Sequence, residues 1–241
     1  FRRVLFRSDL PIEIGDEYIF NKNQAHHAKN VVRLENERVR IVYDGTGYFA
    51  TCYSSGKDFV AKIEEKDEKV NEIGIELTLA VALIRKEKFE LVLQKATELG
   101  VTKIIPYVSS RCVVKYKKEK GDKVLSRYQD ILLEASEQCK RNIVPEIVEP
   151  VKIADLKDYC SEKNLLPYEN AYGGAKYIGE VLDKKESITI AIGPEGGFSD
   201  DEVDMLKGMG FETVTLGPRI LRAETAAMYA CSVAGEVLAR K

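Results

Sequence analysis

Apolar and polar positions alternate with a period of two through much of the first seventy residues. Arg38 to Tyr43 reads as a strand, Asp44-Gly45-Thr46-Gly47 as a turn and Tyr48 to Tyr53 as the returning strand, which together predict a hairpin. Phe59 to Ile63, after the turn residues Ser54-Ser55-Gly56, predicts another strand, and the segment is expected to form a small β-barrel or compact sheet. The charged stretch Glu64 to Lys69 is read as the way out of it. His26 and His27 fall in a predicted short helix, where neighbouring side chains point in different directions and make a poor metal site.

From Ile75 onward the pattern changes to strands alternating with helices, which predicts a mostly parallel sheet covered by helices. Ile75 to Leu83 is an apolar strand. Phe89, Val92, Leu93 and Ala96 recur at helical spacing up to a stop at Gly100, and Lys103 to Tyr107 is the next strand. A long helix over Lys123 to Cys139 carries Val124, Tyr128, Ile131, Leu132 and Ala135 on its inner face and ends near Arg141 to Pro145. Ser187 to Ile192 reads as a central strand buried on both faces, and Thr213 to Leu216 as a later one. The last helix, from near Ala223, bears a stripe of small residues (Ala223, Ala226, Ala227, Ala230, Ala234) suited to close packing in a core or a dimer. The division predicted is residues 1–70 and 71–241.

Composition narrows the class. Of 241 residues, 44% are hydrophobic and 32% charged, enough apolar material for a core and enough charge for solubility. No apolar run approaches the roughly 18 residues that a membrane helix needs, and the stretch Phe1 to Arg7 lacks a long apolar signal core, so a cytoplasmic protein is expected. The five cysteines are scattered without a CxxC pair and read as reduced packing residues, with no metal site. A net charge of −2 gives no global sign of a nucleic-acid partner. Local basic stretches must supply any such affinity: Arg2, Arg3 and Arg7, and then Arg111, Lys115, Lys117, Lys118, Lys120, Lys123 and Arg127, which read equally as a solvated face.

Two segments carry chemistry. Ile192 runs into Gly193-Pro194-Glu195-Gly196-Gly197-Phe198, and a helix opens at Ser199, whose spacing to Glu202 is that of a capping box. A second strand delivers Gly217-Pro218-Arg219-Ile220-Leu221-Arg222. Glycines beyond the carboxyl ends of strands allow a ligand to approach the backbone, although a tight turn uses them equally. Side by side, the two loops would form an apolar cleft walled by backbone amides, suited to an adenine ring, with Glu195 and Glu224 at its rim. Neither GxGxxG with a following acid nor GxxxxGK[ST] is present, which argues against a Rossmann dinucleotide site and a P-loop.

The run Ile192 to Ser199, followed by Leu216-Gly217-Pro218-Arg219-Ile220-Leu221-Arg222-Ala223-Glu224-Thr225-Ala226, resembles the signature of RsmE-type SPOUT methyltransferases. The likeness extends to Lys95 to Val101, Arg111 to Lys115, and Glu134 to Cys139 with Arg141 and Pro145, covering most of residues 75 to 241. Ala223 stands where threonine is expected and Cys112 where serine is common. The resemblance implies an α/β fold with a C-terminal SPOUT trefoil-knot domain, a PUA-like RNA-binding β-barrel before it, a homodimer and no metal. It implies S-adenosyl-L-methionine as cofactor and N3 of a uridine in 16S rRNA of the small ribosomal subunit as target. A different RNA target, or a non-catalytic RNA-binding assembly factor, are the rival readings.

The same resemblance implies cofactor binding by Tyr168, Glu169, Ile192, Gly193, Pro194, Glu195, Gly196, Gly197, Leu216, Gly217, Ile220, Leu221, Arg222, Thr225 and Ala226, and RNA binding by Arg2, Arg3, Arg111, Lys115 and Arg141. N-methylation of uracil requires loss of the N3 proton. An arginine, Arg222 or Arg219, is therefore expected to stabilise charge on the carbonyls, with a carboxylate, Glu224, or water taking the proton. The alternative is an Arg222–Glu224 salt bridge that only fixes the loop.

Overall fold

The structure is a computed structural model and describes residues 5–116, 121–183 and 186–239. Arg2 and Arg3, and Lys117, Lys118 and Lys120 of the basic stretch, lie outside the described residues. The chain divides into two compact units, residues 1–72 with 136–143, and residues 73–135 with 144–241. The segment 136–143 thus joins the first unit, which the predicted division at residue 70 does not contain.

The first unit is a five-stranded mixed sheet of strand order β1-β3-β4-β5-β2, formed by Leu5–Arg7 (β1), Glu17–Ile19 (β2), Arg38–Tyr43 (β3), Thr46–Ser55 (β4) and Asp58–Asp67 (β5). The β3–β4 hairpin turns on Asp44 and Gly45 at φ 44° and 70°, the left-handed pair that a two-residue turn needs to match strand twist. Phe6, Phe20, Ile41, Phe59 and Ile63 fill its core. Contrary to the predicted exit at Glu64, β5 continues to Asp67, because Glu65 and Asp67 find cations on β3: Arg38 with Glu65, and Arg40 with Asp67 at 2.7 Å. The histidines lie at the end of a helix of one turn, Lys22–His26 (α1), and in the π-helical turn His27–Val32 that follows it.

The second unit is built on a parallel sheet of order β12-β10-β11-β6-β7-β8, with Val151–Lys152 (β9) also pairing β7. Its strands are Leu77–Ala82 (β6), Lys103–Val108 (β7), Glu146–Ile147 (β8), Lys163–Pro167 (β10), Ile188–Ile192 (β11) and Phe211–Val214 (β12). Its helices are Lys86–Glu98 (α2), Gly121–Cys139 (α3, whose residues 136–139 belong to the first unit), Ile178–Val181 (α4), Asp200–Gly208 (α5) and Ala223–Ala239 (α6).

In the central strands β6 and β11, alternation places large residues on one face of the sheet and alanines on the other, where Ile105, Tyr107 and Leu166 of the neighbouring strands supply the bulk. Leu77, Leu79 and Val81 of β6 and Ile188, Ile190 and Ile192 of β11 pack under α2, α3 and α6, whereas Ala80, Ala82 and Ala191 face Val203 and Leu206 of α5. Each fully buried leucine or isoleucine there contributes about 1.5–3 kcal/mol. The small stripe on α6 permits a backbone approach: a Cβ on Gly235 would lie 2.8 Å from the Leu99 carbonyl oxygen at the end of α2. Parallel pairing sends the connections after β6, β10, β11 and β12 out of one edge, where ligands of open α/β sheets bind.

Candidate active site

The connection after β11 is held at both ends. Tyr107 at the tip of β7 donates its hydroxyl to the Ile192 carbonyl at 2.8 Å, and burial pushes that phenol well above its ordinary pKa, so it stays a neutral donor. Phe198 is buried, and a Cβ on Gly193 would sit 2.9 Å from its ring. Between these anchors the Gly197 amide donates to the Pro194 carbonyl at 2.9 Å to close a turn.

The capping box predicted at Ser199 is present and has a second function. Ser199 Oγ accepts from the Glu202 amide at 3.3 Å, and Glu202 accepts from the Ser199 amide at 3.0 Å. The same carboxylate also accepts from Ser109 Oγ at 2.9 Å and from the Ser110 amide at 2.7 Å, binding the connection after β7 to the start of α5. Burial alone would raise the Glu202 carboxyl, but the hydrogen bonds from Ser110, Ser199 and Ser109 outweigh it and hold the group below its ordinary range.

Across the edge, Tyr168 and Glu169 after β10 and Leu216, Gly217, Arg219, Leu221 and Ala226 after β12 line one open cleft. Gly217 takes φ +108°, and its amide donates to Thr215 Oγ1 at 3.1 Å. Gly197 takes φ +67°, and a Cβ there would come within 2.6 Å of Glu169 Oε1, so the two loops touch only because the position is glycine.

The predicted cofactor residues divide accordingly. Tyr168, Glu169, Leu216, Gly217, Leu221 and Ala226 come together at the cleft, with Gly193, Gly196 and Gly197 in the neighbouring loop. Ile192 and Pro194 are buried beneath it, while Ile220 is 86% exposed and Thr225 is also exposed. Glu195 is exposed and accepts from the Arg85 amide at 3.3 Å, which ties the loop to the start of α2.

Arg219 and Arg222 are exposed, and the salt bridge weighed as the alternative, Arg222 with Glu224, is not among the ion pairs of the described residues. Glu224 pairs with Lys88 of α2 at 2.9 Å and is 9% exposed; its second oxygen is buried without a hydrogen-bond partner among the described residues. Burial would raise its pKa, yet the hydrogen bond from Lys88 and the charges of Lys88 and Arg222 lower it. Nothing in the spacing of α2 distinguishes Lys88 from its neighbours Lys86 and Lys95, so sequence reading missed it. Tyr107, Ser109 and Ser110 were missed for the same reason.

Of the predicted RNA contacts, Lys115 is exposed. Arg111 is exposed but braces the glycine loop, donating to the carbonyls of Gly196 at 3.2 Å and Phe198 at 3.0 Å. Arg141, in the first unit, is buried and paired with Glu72 at 2.6 Å, so its guanidinium is turned inward rather than toward a phosphate.

Residues 71–235 match the family model described as an RNA methyltransferase domain. The chain is 35% identical over 214 residues to ribosomal RNA small subunit methyltransferase E of Mesomycoplasma hyopneumoniae, covering 88% of this chain and 91% of the relative. The Bacillus subtilis protein of the same name is 33% identical, covering 92% and 90%. Among solved structures, a ribosomal RNA small subunit methyltransferase E of Neisseria gonorrhoeae bound to S-adenosyl methionine is similar with a TM-score of 0.86, at 29% identity and 95% coverage of both chains. A Legionella pneumophila protein solved in complex with the cofactor SAM is similar with a TM-score of 0.87, at 31% identity and 98% coverage of both chains.

Proposed function

Because the chain belongs to the RNA methyltransferase family of the ribosomal small-subunit methyltransferase E type, we propose that it methylates N3 of a uridine in 16S rRNA using S-adenosylmethionine. The observation that carries this reading is the cleft at the carboxyl edge of the sheet, lined by the loops after β10 and β12, where the loop after β11 meets the loop after β10 at Gly197, which leaves no room for a Cβ against Glu169. Its chemistry fits an adenosyl group: Leu216 and Leu221 offer apolar walls, and Gly196, Gly197 and Gly217 let a ligand approach the backbone closely. Bound there, S-adenosylmethionine would supply an electrophilic sulfonium methyl.

The chain's own residues prepare the acceptor. Arg222, or Arg219 on the rim of the cleft, stabilises negative charge on the uracil carbonyls as the N3 proton leaves. Glu224, kept ionised by Lys88, holds a buried oxygen without a hydrogen-bond partner among the described residues, which orients or accepts that N–H once substrate binding uncovers it, with water completing the transfer. The carboxylate's lowered pKa favours the orienting role, because proton transfer to a weak base is uphill.

The same reading includes the trefoil knot around α6, a homodimer, a cytoplasmic location and a PUA-like barrel in the first unit. The barrel is supported by a bridge between the two ends of the strand order: Tyr18 of β2 donates its hydroxyl to the Arg7 carbonyl of β1 at 3.0 Å. Among the described residues, no helix is long and apolar enough to cross a membrane.

Incubation of naked 16S rRNA and of unmodified small subunits with radiolabelled S-adenosylmethionine, followed by nucleoside mass spectrometry, tests the proposal. 3-Methyluridine is the expected product. Label in another nucleoside moves the target, and absence of both label and cofactor binding overturns the reading.

A further inference from the structure

On the same edge of the second unit, beyond β6 and β7, lies a second cavity of about 570 Å³. The glycine loop after β11 separates it from the first cleft and is tied toward it by the Arg85 amide on Glu195 and by Arg111 on Gly196. Ile84, Val124 and Tyr128 give this cavity an apolar floor, and Lys115, Lys123 and Arg127 stand around its rim. Burial pushes the Tyr128 phenol up to about 12, so it is a neutral aromatic surface.

Two polar atoms in its walls are buried without hydrogen-bond partners among the described residues, Tyr116 Oη and Glu90 Oε1. The Tyr116 hydroxyl leaves a desolvation cost of about 1–3 kcal/mol unmet, whereas Glu90 Oε1 has only the long ion pair to Lys86 at 3.8 Å, which leaves room for a closer donor. A hydroxyl that donates and a carboxylate oxygen that accepts match a carbonyl and an N–H on the edge of a nucleobase. Glu90 also neutralises part of the rim, pairing with Arg127 at 3.2 Å and with Lys86, another lining residue, at 3.8 Å, so that Lys115 and Lys123 are the lining cations it does not engage.

We infer that this cavity holds a nucleotide of single-stranded RNA next to the target uridine, its base over Tyr128 and hydrogen-bonded by Tyr116 and Glu90, its phosphate between Lys115 and Lys123. The inference rests on the methyltransferase reading for the identity of the RNA. Single-stranded bases are read through stacking on aromatic or apolar side chains together with edge hydrogen bonds, and an apolar floor ringed by lysines provides for both. The order along the edge is then cofactor cleft, glycine loop and flanking nucleotide.

The test uses the full chain with unmodified small ribosomal subunits as the probe. The double variant K115Q/K123Q removes two exposed cations, and Tyr116→Phe removes one hydroxyl. The double variant is expected to weaken subunit binding at least tenfold and to reduce the slope of log K against log salt by roughly 0.7, one phosphate's worth for a single strand. Tyr116→Phe is expected to weaken binding severalfold with the slope unchanged, and both variants should bind S-adenosylmethionine as the parent does. Folded variants with parental subunit affinity and salt slope overturn the pocket while 3-methyluridine formation by the parent stands. A parent that forms no 3-methyluridine, but whose binding falls in both variants as described, overturns the proposed activity and leaves the pocket.

Discussion

Lys88 on the first turn of α2 and Glu224 on the first turn of α6 form an ion pair of 2.9 Å, joining the helix that follows β6 to the helix that opens after the second glycine loop. Both groups are largely buried, with side chains 29% and 11% exposed, so the pair is screened less than a surface bridge. Replacement of Lys88 by methionine should cost about 1–3 kcal/mol, below the full penalty for breaking a buried pair because Lys88 retains some access to water. The folded pKa of Glu224 lies below its unfolded value, so its contribution is present above the ordinary carboxylate range and is lost as pH falls through the depressed value. Thermal melts at a series of pH values should show the parent and Lys88→Met converging in acid. Parallel curves across the whole range would count against the pair.

Glu202 holds three donors from two connections, and Glu202→Ala leaves the Ser110 amide and the Ser109 hydroxyl without their acceptor. A loss of about 1–3 kcal/mol is expected from those donors. Because hydrogen bonds depress this carboxyl, its stabilisation is likewise full at neutral pH and disappears as acid protonates it. Calorimetric titration should also find S-adenosylmethionine binding weakened severalfold, since α5 and the glycine loop share this anchor. Unchanged affinity in a destabilised variant would confine Glu202 to stability.

Local pattern carried the elements whose signals lie close together in the chain. Asp44-Gly45 announces a turn that needs two left-handed residues, Ser199 with Glu202 announces a helix start, and the continuous run of β11 announces a strand buried on both faces. The contacts that shape the site have no such local trace. Glu202 reaches Ser109 across 93 residues, Lys88 finds Glu224 only once α2 and α6 pack, and Arg111 is spent on loop carbonyls rather than left for RNA. Arg141 shows the same limit: its charge is visible in the sequence, but the Glu72 that neutralises it is not. The glycines were legible as permissive positions, whereas what each must avoid, the Glu169 carboxylate for Gly197 and the Leu99 carbonyl for Gly235, appears only in three dimensions.

Gly197→Ala tests the contact between loops. The substitution places a methyl at φ +67° and 2.6 Å from Glu169 Oε1, so it carries backbone strain of about 1 kcal/mol or more and pushes the end of a side chain away. Glu169 is exposed and flexible enough to yield, which confines the damage to the cleft. The expected outcome is a melting temperature lowered by a few degrees and S-adenosylmethionine affinity reduced at least tenfold. A variant with parental affinity would show that the loops need not touch for the cleft to work.

Two glycine-to-alanine changes in helices should act in opposite directions. Gly208, at the end of α5, has open space where a Cβ would go, and alanine there should stabilise by about 0.5–1 kcal/mol through lost unfolded-state freedom. Gly235 in α6 enjoys the same gain in helix propensity, but its Cβ would lie 2.8 Å from the Leu99 carbonyl oxygen, and backbone cannot rotate away as a side chain does. Separating α6 from α2 costs about 1–3 kcal/mol as overpacking, which exceeds the propensity gain. The displacement also reaches Glu224 and its partner Lys88, so turnover should fall in Gly235→Ala and not in Gly208→Ala. Urea denaturation alongside steady-state methylation measures both effects; a Gly235→Ala protein as stable and active as the parent would mean that α6 does not depend on this close approach.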